Sequence, residues 1–224
     1  MLVLALDTAT AATAVALVKL EANGKIHPLA RRRHVDPRAH AEQLAPQVEA
    51  VLAEAGATPG DLEALVAGVG PGPFTGLRVG LATAAAMAQS LDLPTYGVCS
   101  LDAIGARSQG TALVATDARR REVYWAIYQD GQRHHGPEVN RPADLLPVIA
   151  EHRVIAGYGE GVLRYRDVLR LPVVEEPLQP DPADLVRVAR SRVLAKEPAE
   201  PLTPLYLRRP DASEPHPPKR VTRP

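Results

Sequence analysis

Residues 70 to 80 read Gly-Pro-Gly-Pro-Phe-Thr-Gly-Leu-Arg-Val-Gly, set between an apolar run at Ala64 to Val69 and an Ala-rich segment that ends near Ser90. The apolar run reads as a buried strand, and the Ala-rich segment as a helix over 76–90. The loop must turn a strand into a helix within a few residues. That confines the chain to an α/β arrangement in which helices lie against a sheet. Ala82, Ala84, Ala85, Ala86 and Ala88 are small enough to let another helix come close. Two readings of the glycines stay open. They can bring backbone N–H groups to an anion at the helix N-terminus, with Thr75 and Arg78 adding a hydroxyl and a charge. They can equally make a tight turn that packs the helix close to its sheet. The run is not a phosphate loop of the Gly-Lys-Ser/Thr type. Gly70, Gly72 and Gly76 also carry one residue too many for Gly-x-Gly-x-x-Gly.

The rest of the chain repeats this logic. Leu2 to Leu6 is an apolar strand ending in Asp7-Thr8, and Thr13 to Val18 is a second β-prone run. Asn23-Gly24 turns into a polar, Arg-rich third strand over 25–34. A helix over 38–55 follows, with Leu44, Val48, Val51, Leu52 and Ala55 on one face and Pro46 inside it. After the Ala-rich helix come a strand at Thr95 to Cys99 and a short helix over 100–107. A second strand-rich run then opens at Ala112 to Asp117 and Glu122 to Tyr128. It continues with a helix from Pro142 to about His152, a strand at Arg153 to Ala156, a short helix after Gly157–Gly161, and a last helix over 182–196. The pattern predicts two related α/β lobes with mixed sheets flanked by helices. Residues 1–109 form the first and 110–207, with the final helix, the second; a Pro-rich tail over 208–224 is expected to be disordered.

Composition removes several function classes. Lys+Arg and Asp+Glu balance at 26 each, which argues against coating a nucleic acid by bulk charge. A single cysteine, Cys99, excludes an internal disulfide framework and a Cys-rich zinc site. No apolar run reaches the ~18 residues of a membrane helix, and Met1 to Asp7 lacks a signal-peptide pattern. The expected location is a reducing cytoplasm. The seven histidines form neither His-x-x-x-His nor His-Glu-x-x-His, and the adjacent His134 and His135 would point to opposite faces of a strand. No metal site is expected from them. Asp7 and Asp117 each end a first strand and could hold Mg²⁺ through water or cap a turn. Arg31–Arg33 and Arg119–Arg121 are charge runs that read as solvated surface able to touch phosphates.

Taken together and in order, several strings resemble the TsaB (YeaZ) family. They are Asp7-Thr8, His40-Ala-Glu-Gln-Leu-Ala-Pro46, Gly70 through Gly80, Asp117-Ala-Arg119 with Glu122-Val-Tyr124, and Pro204-Leu-Tyr-Leu-Arg208. The resemblance spans residues 1–209; Pro73 stands where Ser is common. It implies the actin-like ATPase fold, made of two ribonuclease-H-like lobes. It also implies a role in forming N6-threonylcarbamoyladenosine at position 37 of tRNA, as partner of the transferase TsaD and together with TsaE. TsaD carries its metal on a His-x-x-x-His pair after the strand matching Thr95 to Cys99, and Ser100 and Ile104 stand at those positions here. Neither replaces an imidazole ligand, so the resemblance implies a subunit with no catalytic residues and no metal.

The same resemblance places the partner-binding surface on the two helices of the first lobe, through His40, Leu44, Val48, Leu77, Leu81 and Ala85. That surface would meet TsaD, or a second copy when TsaD is absent. Asp7, Thr8, Gly70, Gly72, Thr75 and Gly76 are the candidate phosphate or nucleotide ligands. No cofactor is expected to bind tightly; ATP or ADP would sit at the complex interface, and tRNA would be a substrate of the complex. The alternatives are an independent Mg-ATP-dependent kinase-like enzyme built on Asp7, Asp117 and the Gly70 loop, and a metallopeptidase, which the absent ligand pair disfavours.

Overall fold

The computed structural model describes residues 1–208 of the 224-residue chain. The expectation for the tail therefore lies outside the described residues. Strands β1 (Leu2–Asp7), β2 (Ala12–Leu20) and β3 (Ile26–Val35) form an antiparallel meander, with Leu4 opposite Leu17 and Leu17 opposite Ala30. Helix α1 (His40–Glu54) then crosses to β4 (Ala64–Gly68), and α2 (Phe74–Leu91) crosses to β5 (Thr95–Val98). Both of these strands run parallel in the sheet, as helical crossovers require. The order is β3-β2-β1-β4-β5. Central β1 and β4 are covered on both faces, which is why their sequences are apolar throughout rather than alternating.

After α3 (Ser100–Gly105) the second sheet repeats the plan. It comprises β6 (Thr111–Asp117), β7 (Val123–Gln129), β8 (Gln132–Asn140), β9 (Ala156–Tyr158) and β10 (Val173–Val174). Read from β8, its order is third, second, first, fourth, fifth strand, the same as in the first sheet. Two copies of one mixed five-stranded lobe are the architecture of the actin-like ATPase fold expected above. Short helices α4 (Leu146–Glu151), α5 (Glu160–Arg164) and α6 (Arg166–Leu169) serve the second lobe, and α7 (Pro182–Leu194) closes the regular structure.

Three local expectations change, and one strand stands where none was expected. The helix expected from Pro142 splits into a 3₁₀ turn, Pro142–Leu145, and α4, because Pro147 has no N–H to continue the ladder. The strand expected at Arg153 to Ala156 starts only at Ala156, since Arg153 ends the preceding helix in the left-handed region (φ 52°). Strand β8 has no apolar alternation to reveal it: it is a sheet edge, exposed along most of its length and interrupted by Gly136-Pro137. Helix α7, expected with the second lobe from its place in the chain, packs on the first. Leu185, Val186, Ala189 and Val193 bury against Val3, Ala5, Val18 and Val66. Its N-terminus is capped by Asp181, whose carboxylate accepts the Ala183 N–H at 2.9 Å.

From α7 the chain returns as an irregular strap across both lobes. The Leu205 N–H donates to the Val69 carbonyl at 2.8 Å, and the Arg208 guanidinium donates to the Ala118 carbonyl at 2.9 Å and pairs with Glu122. Phe74 and Tyr206 pack with ring centroids 4.6 Å apart, and Arg78 donates to the Tyr206 hydroxyl at 2.8 Å.

Candidate functional site

The Gly70 loop is built for close packing. A Cβ on Gly72 would lie 2.2 Å from the Ala9 carbonyl oxygen, one on Gly76 2.8 Å from the His40 ring, and one on Gly80 2.3 Å from the Thr8 hydroxyl. The 8–11 turn after β1 thus lies directly on the N-terminal end of α2. Thr8 is buried and donates its hydroxyl to the Gly76 carbonyl at 2.7 Å. Gly70 is in the left-handed region (φ 94°), with Leu77 and the strap at Leu205 against it. Of the two open readings of these glycines, the packing turn is the one the structure displays.

Asp7 is likewise enclosed. It accepts the Ser100 hydroxyl at 2.5 Å and the Ala9 N–H at 2.8 Å, and Ser100 also accepts the Gly70 N–H at 3.3 Å. Burial pushes the Asp7 carboxyl up to about 6, against the lowering effect of both hydrogen bonds. The native state therefore holds a proton there between about pH 4 and pH 6 that the unfolded chain has released. Stability falls as pH rises through this window and levels off above it, by about 3 kcal/mol for a shift of this size. Asp7→Asn keeps a neutral group of the same shape. Urea unfolding of Asp7→Asn from pH 4 to pH 7 is expected to show that fall abolished and the variant more stable than wild type at pH 7. An unchanged pH profile would show that Asp7 is not the titrating group.

Of the candidate phosphate ligands, only Thr75 and Gly76 reach open space. They line a cleft of about 1230 Å³ between the lobes. Asp7, Thr8, Gly70 and Gly72 lie outside its walls, a correction that follows from their use in packing. Asp117 does line the cleft and pairs with Arg164 at 2.9 Å, leaving its Oδ1 without a partner among the described residues. Glu160 lies beside it, and burial raises its carboxyl above the usual range, with the Asp117 charge adding to the rise. The sequence reading passed over Arg38, Glu160 and Arg164, which the fold brings to this cleft from separate segments.

The partner-binding set needs a larger correction. His40, Leu44, Val48, Leu77 and Leu81 are buried inside the first lobe, the four aliphatic residues in a single core cluster. His40 sits 2.8 Å from the Thr13 hydroxyl through Nδ1 and lies against Gly76. Its burial and the Arg119 charge hold its pKa below the ordinary value, Asp36 opposing them. Helical periodicity marks the apolar side, and the apolar side covers the helix's own sheet. Of the six, Ala85 alone is exposed. The outward faces are Ala45, Pro46 and Glu49 on α1 and Arg78, Ala82, Ala85, Ala86 and Gln89 on α2. These two helices are neighbours, so the faces are contiguous.

Ser100 and Ile104 are both buried. Ser100 pins Asp7 to the Gly70 loop, and Ile104 packs with Ala112, Val114 and Tyr128 in the core between α3 and the second sheet. His134 and His135 do not point apart as expected. The β7–β8 register shifts at this point, and both rings meet His152, with centroids 5.8 Å and 5.5 Å from it. Among the described residues no group of three or more His, Cys, Asp or Glu is arranged to hold a metal ion.

A family model described as TsaD, tRNA N6-adenosine threonylcarbamoyltransferase, matches residues 31–164. The Escherichia coli protein named tRNA threonylcarbamoyladenosine biosynthesis protein TsaB is 36% identical, over 93% of this chain and 95% of its own length. The chain belongs to the TsaB family. An uncharacterised protein of Mycobacterium tuberculosis is 52% identical over 94% of this chain and 93% of its own. Solved structures agree: YeaZ from Pseudomonas aeruginosa covers 92% of this chain at 29% identity and a TM-score of 0.71, and a YeaZ-like structure reaches 0.77 at 31%. The buried Gly70 loop and the exposed α1–α2 face are therefore features of a TsaB-family lobe.

Proposed function

We propose that this chain is a non-catalytic subunit in the formation of tRNA N6-threonylcarbamoyladenosine. It would act by docking the outward face of α1 and α2 on a TsaD-type transferase, with TsaE in the same assembly. One observation carries this reading: an exposed stripe of small residues, Ala82, Ala85 and Ala86, stands on a lobe whose own Asp7, Ser100 and Gly70 loop are fully engaged with one another. A face of small side chains lets two helices approach closely, while the enclosed loop offers a nucleotide no cradle of its own. Without a transferase partner the same face would meet its copy in a homodimer. Any adenine nucleotide of the complex would sit at the shared interface rather than in this loop. No helix among the described residues is long and apolar enough to cross a membrane, which is compatible with a cytoplasmic site of action.

The reading is tested by reconstitution. TsaD-type and TsaE-type subunits, threonylcarbamoyl-adenylate and unmodified tRNA are combined with and without this chain, and the modified nucleoside is quantified. Modification is expected to depend on the chain. Equal modification without it would refute the proposal, and turnover of MgATP by the chain alone would favour the kinase-like alternative.

A further inference from the structure

The cleft between the lobes is charged in a way that docking does not use. Five arginines line it against two carboxylates, Asp117 and Glu160. Asp117 is matched by Arg164 at 2.9 Å, and Arg208 is engaged with Glu122 and the Ala118 carbonyl. Arg38 comes from the first lobe just before α1, Arg119 and Arg120 from the turn after β6. Arg38 and Arg119 are exposed, and neither guanidinium is paired with a carboxylate among the described residues. Cations therefore stand on both lips of one groove, where an elongated anion can touch them in succession.

The second lip is also conformationally unusual. Arg119, Arg120 and Arg121 are consecutive residues in the left-handed region, at φ 59°, 53° and 63°. Side chains other than glycine rarely adopt that region even singly. The turn is held by the Ala118 N–H donating to the Glu122 carbonyl at 3.0 Å and the Glu122 N–H to the Arg119 carbonyl at 2.9 Å. A strained turn that presents arginines to an open cleft is the kind of outlier that marks a binding surface.

From these observations we infer that the interlobe cleft is a groove for a single strand of RNA, its phosphates held by Arg38, Arg119 and Arg120. Arginines spread over two lobes suit a phosphodiester backbone better than the phosphates of one nucleotide, which need donors converging on a point. The backbone N–H groups that could converge, those of the Gly70 loop, are packed against the 8–11 turn. The cleft opens beside the first turns of α1 and α2, through Ala41 and Thr75, so a bound strand would lie next to whatever docks on those helices. The choice of RNA rests on the function proposed above; the groove itself rests on its arginines.

The test uses the full chain and a fluorescein-labelled single-stranded oligoribonucleotide, followed by anisotropy across a salt series. Binding is expected to weaken steeply with salt. Arg119→Glu and Arg38→Glu, both on exposed residues, are each expected to weaken it about tenfold or more and to flatten the salt slope. Arg33→Glu, on β3 away from the cleft, is expected to leave it unchanged. No binding by wild type, or equal weakening by Arg33→Glu, overturns the proposal. Displacement of the RNA by an equal nucleotide concentration of ATP also overturns it, in favour of a mononucleotide site. Gel filtration of Arg119→Glu with a TsaD-type partner is run in parallel. Intact assembly of Arg119→Glu with lost RNA binding supports the groove, and a wild-type chain that binds RNA but fails to assemble in the same gel filtration would refute only the docking reading.

Discussion

Ala85→Arg is expected to leave a folded chain that no longer assembles with its partner. Ala85 is exposed on α2, between the outward-facing Ala82 and Ala86 and away from the buried Leu77, Leu81 and Ala84. A surface substitution at such a position changes stability by no more than about 0.5 kcal/mol. In a close-packed helix seam the same substitution introduces a long side chain and an uncompensated charge, at a cost of about 3–5 kcal/mol. At about 1.4 kcal/mol per tenfold change, assembly weakens by at least a factor of about 100. Light scattering with a TsaD-type subunit, and with the chain alone, reads both the hetero- and the homodimeric contact. Ala85→Ser, small and uncharged, is expected to assemble normally. Retained assembly of Ala85→Arg would remove the α2 face from the interface and leave the docking role without its surface.

The core of this molecule was legible in its sequence because burial writes a period into the chain. The helical spacing of Leu44, Val48, Val51 and Leu52 and the unbroken apolar run of Leu2 to Leu6 gave α1 and β1 to within a few residues. Where packing imposes no period, the reading failed: β8 is an exposed edge, and α4 is shortened by one proline. The same period misdirected the interface. A stripe of leucines marks what a helix hides, so the contact surface had to be sought among the alanines on the other side. Chain order misplaced α7, since nothing local to residues 182–194 says which of two similar sheets they cover. The cleft was only partly legible. Arg119–Arg121 stand out as a charge run, but the meeting of Arg119 and Arg120 with Arg38 and Arg164 depends on how two lobes face each other, which no local pattern encodes. His134 and His135 show the same limit, because a register shift in β8 undid the alternation on which the sequence argument rested.

Gly72→Ala is expected to destabilise the whole first lobe, and this result separates a packing turn from a phosphate cradle. The added methyl would lie 2.2 Å from the Ala9 carbonyl oxygen and 2.8 Å from its Cα and carbonyl carbon, all backbone atoms without a rotamer to yield. Relief requires the 8–11 turn to move away from α2. That movement pulls on the Thr8–Gly76 hydrogen bond and on the Ala9 N–H bond that holds the Asp7 carboxylate. Overpacking of this kind costs about 3 kcal/mol, a large part of the 5–15 kcal/mol by which domains are typically stable. For a chain of this size it lowers Tm by roughly 6–12 °C. Gly60→Ala is the matched control, because its added methyl meets only the Thr58 hydroxyl, at 3.8 Å, and it should unfold like wild type. A displaced α2 also carries Ala82, Ala85 and Ala86 out of place, so Gly72→Ala should assemble poorly at temperatures where it is still folded. A phosphate cradle predicts the reverse: an unchanged Tm and a loss of nucleotide binding. That outcome would return the Gly70 loop to the role of a ligand site.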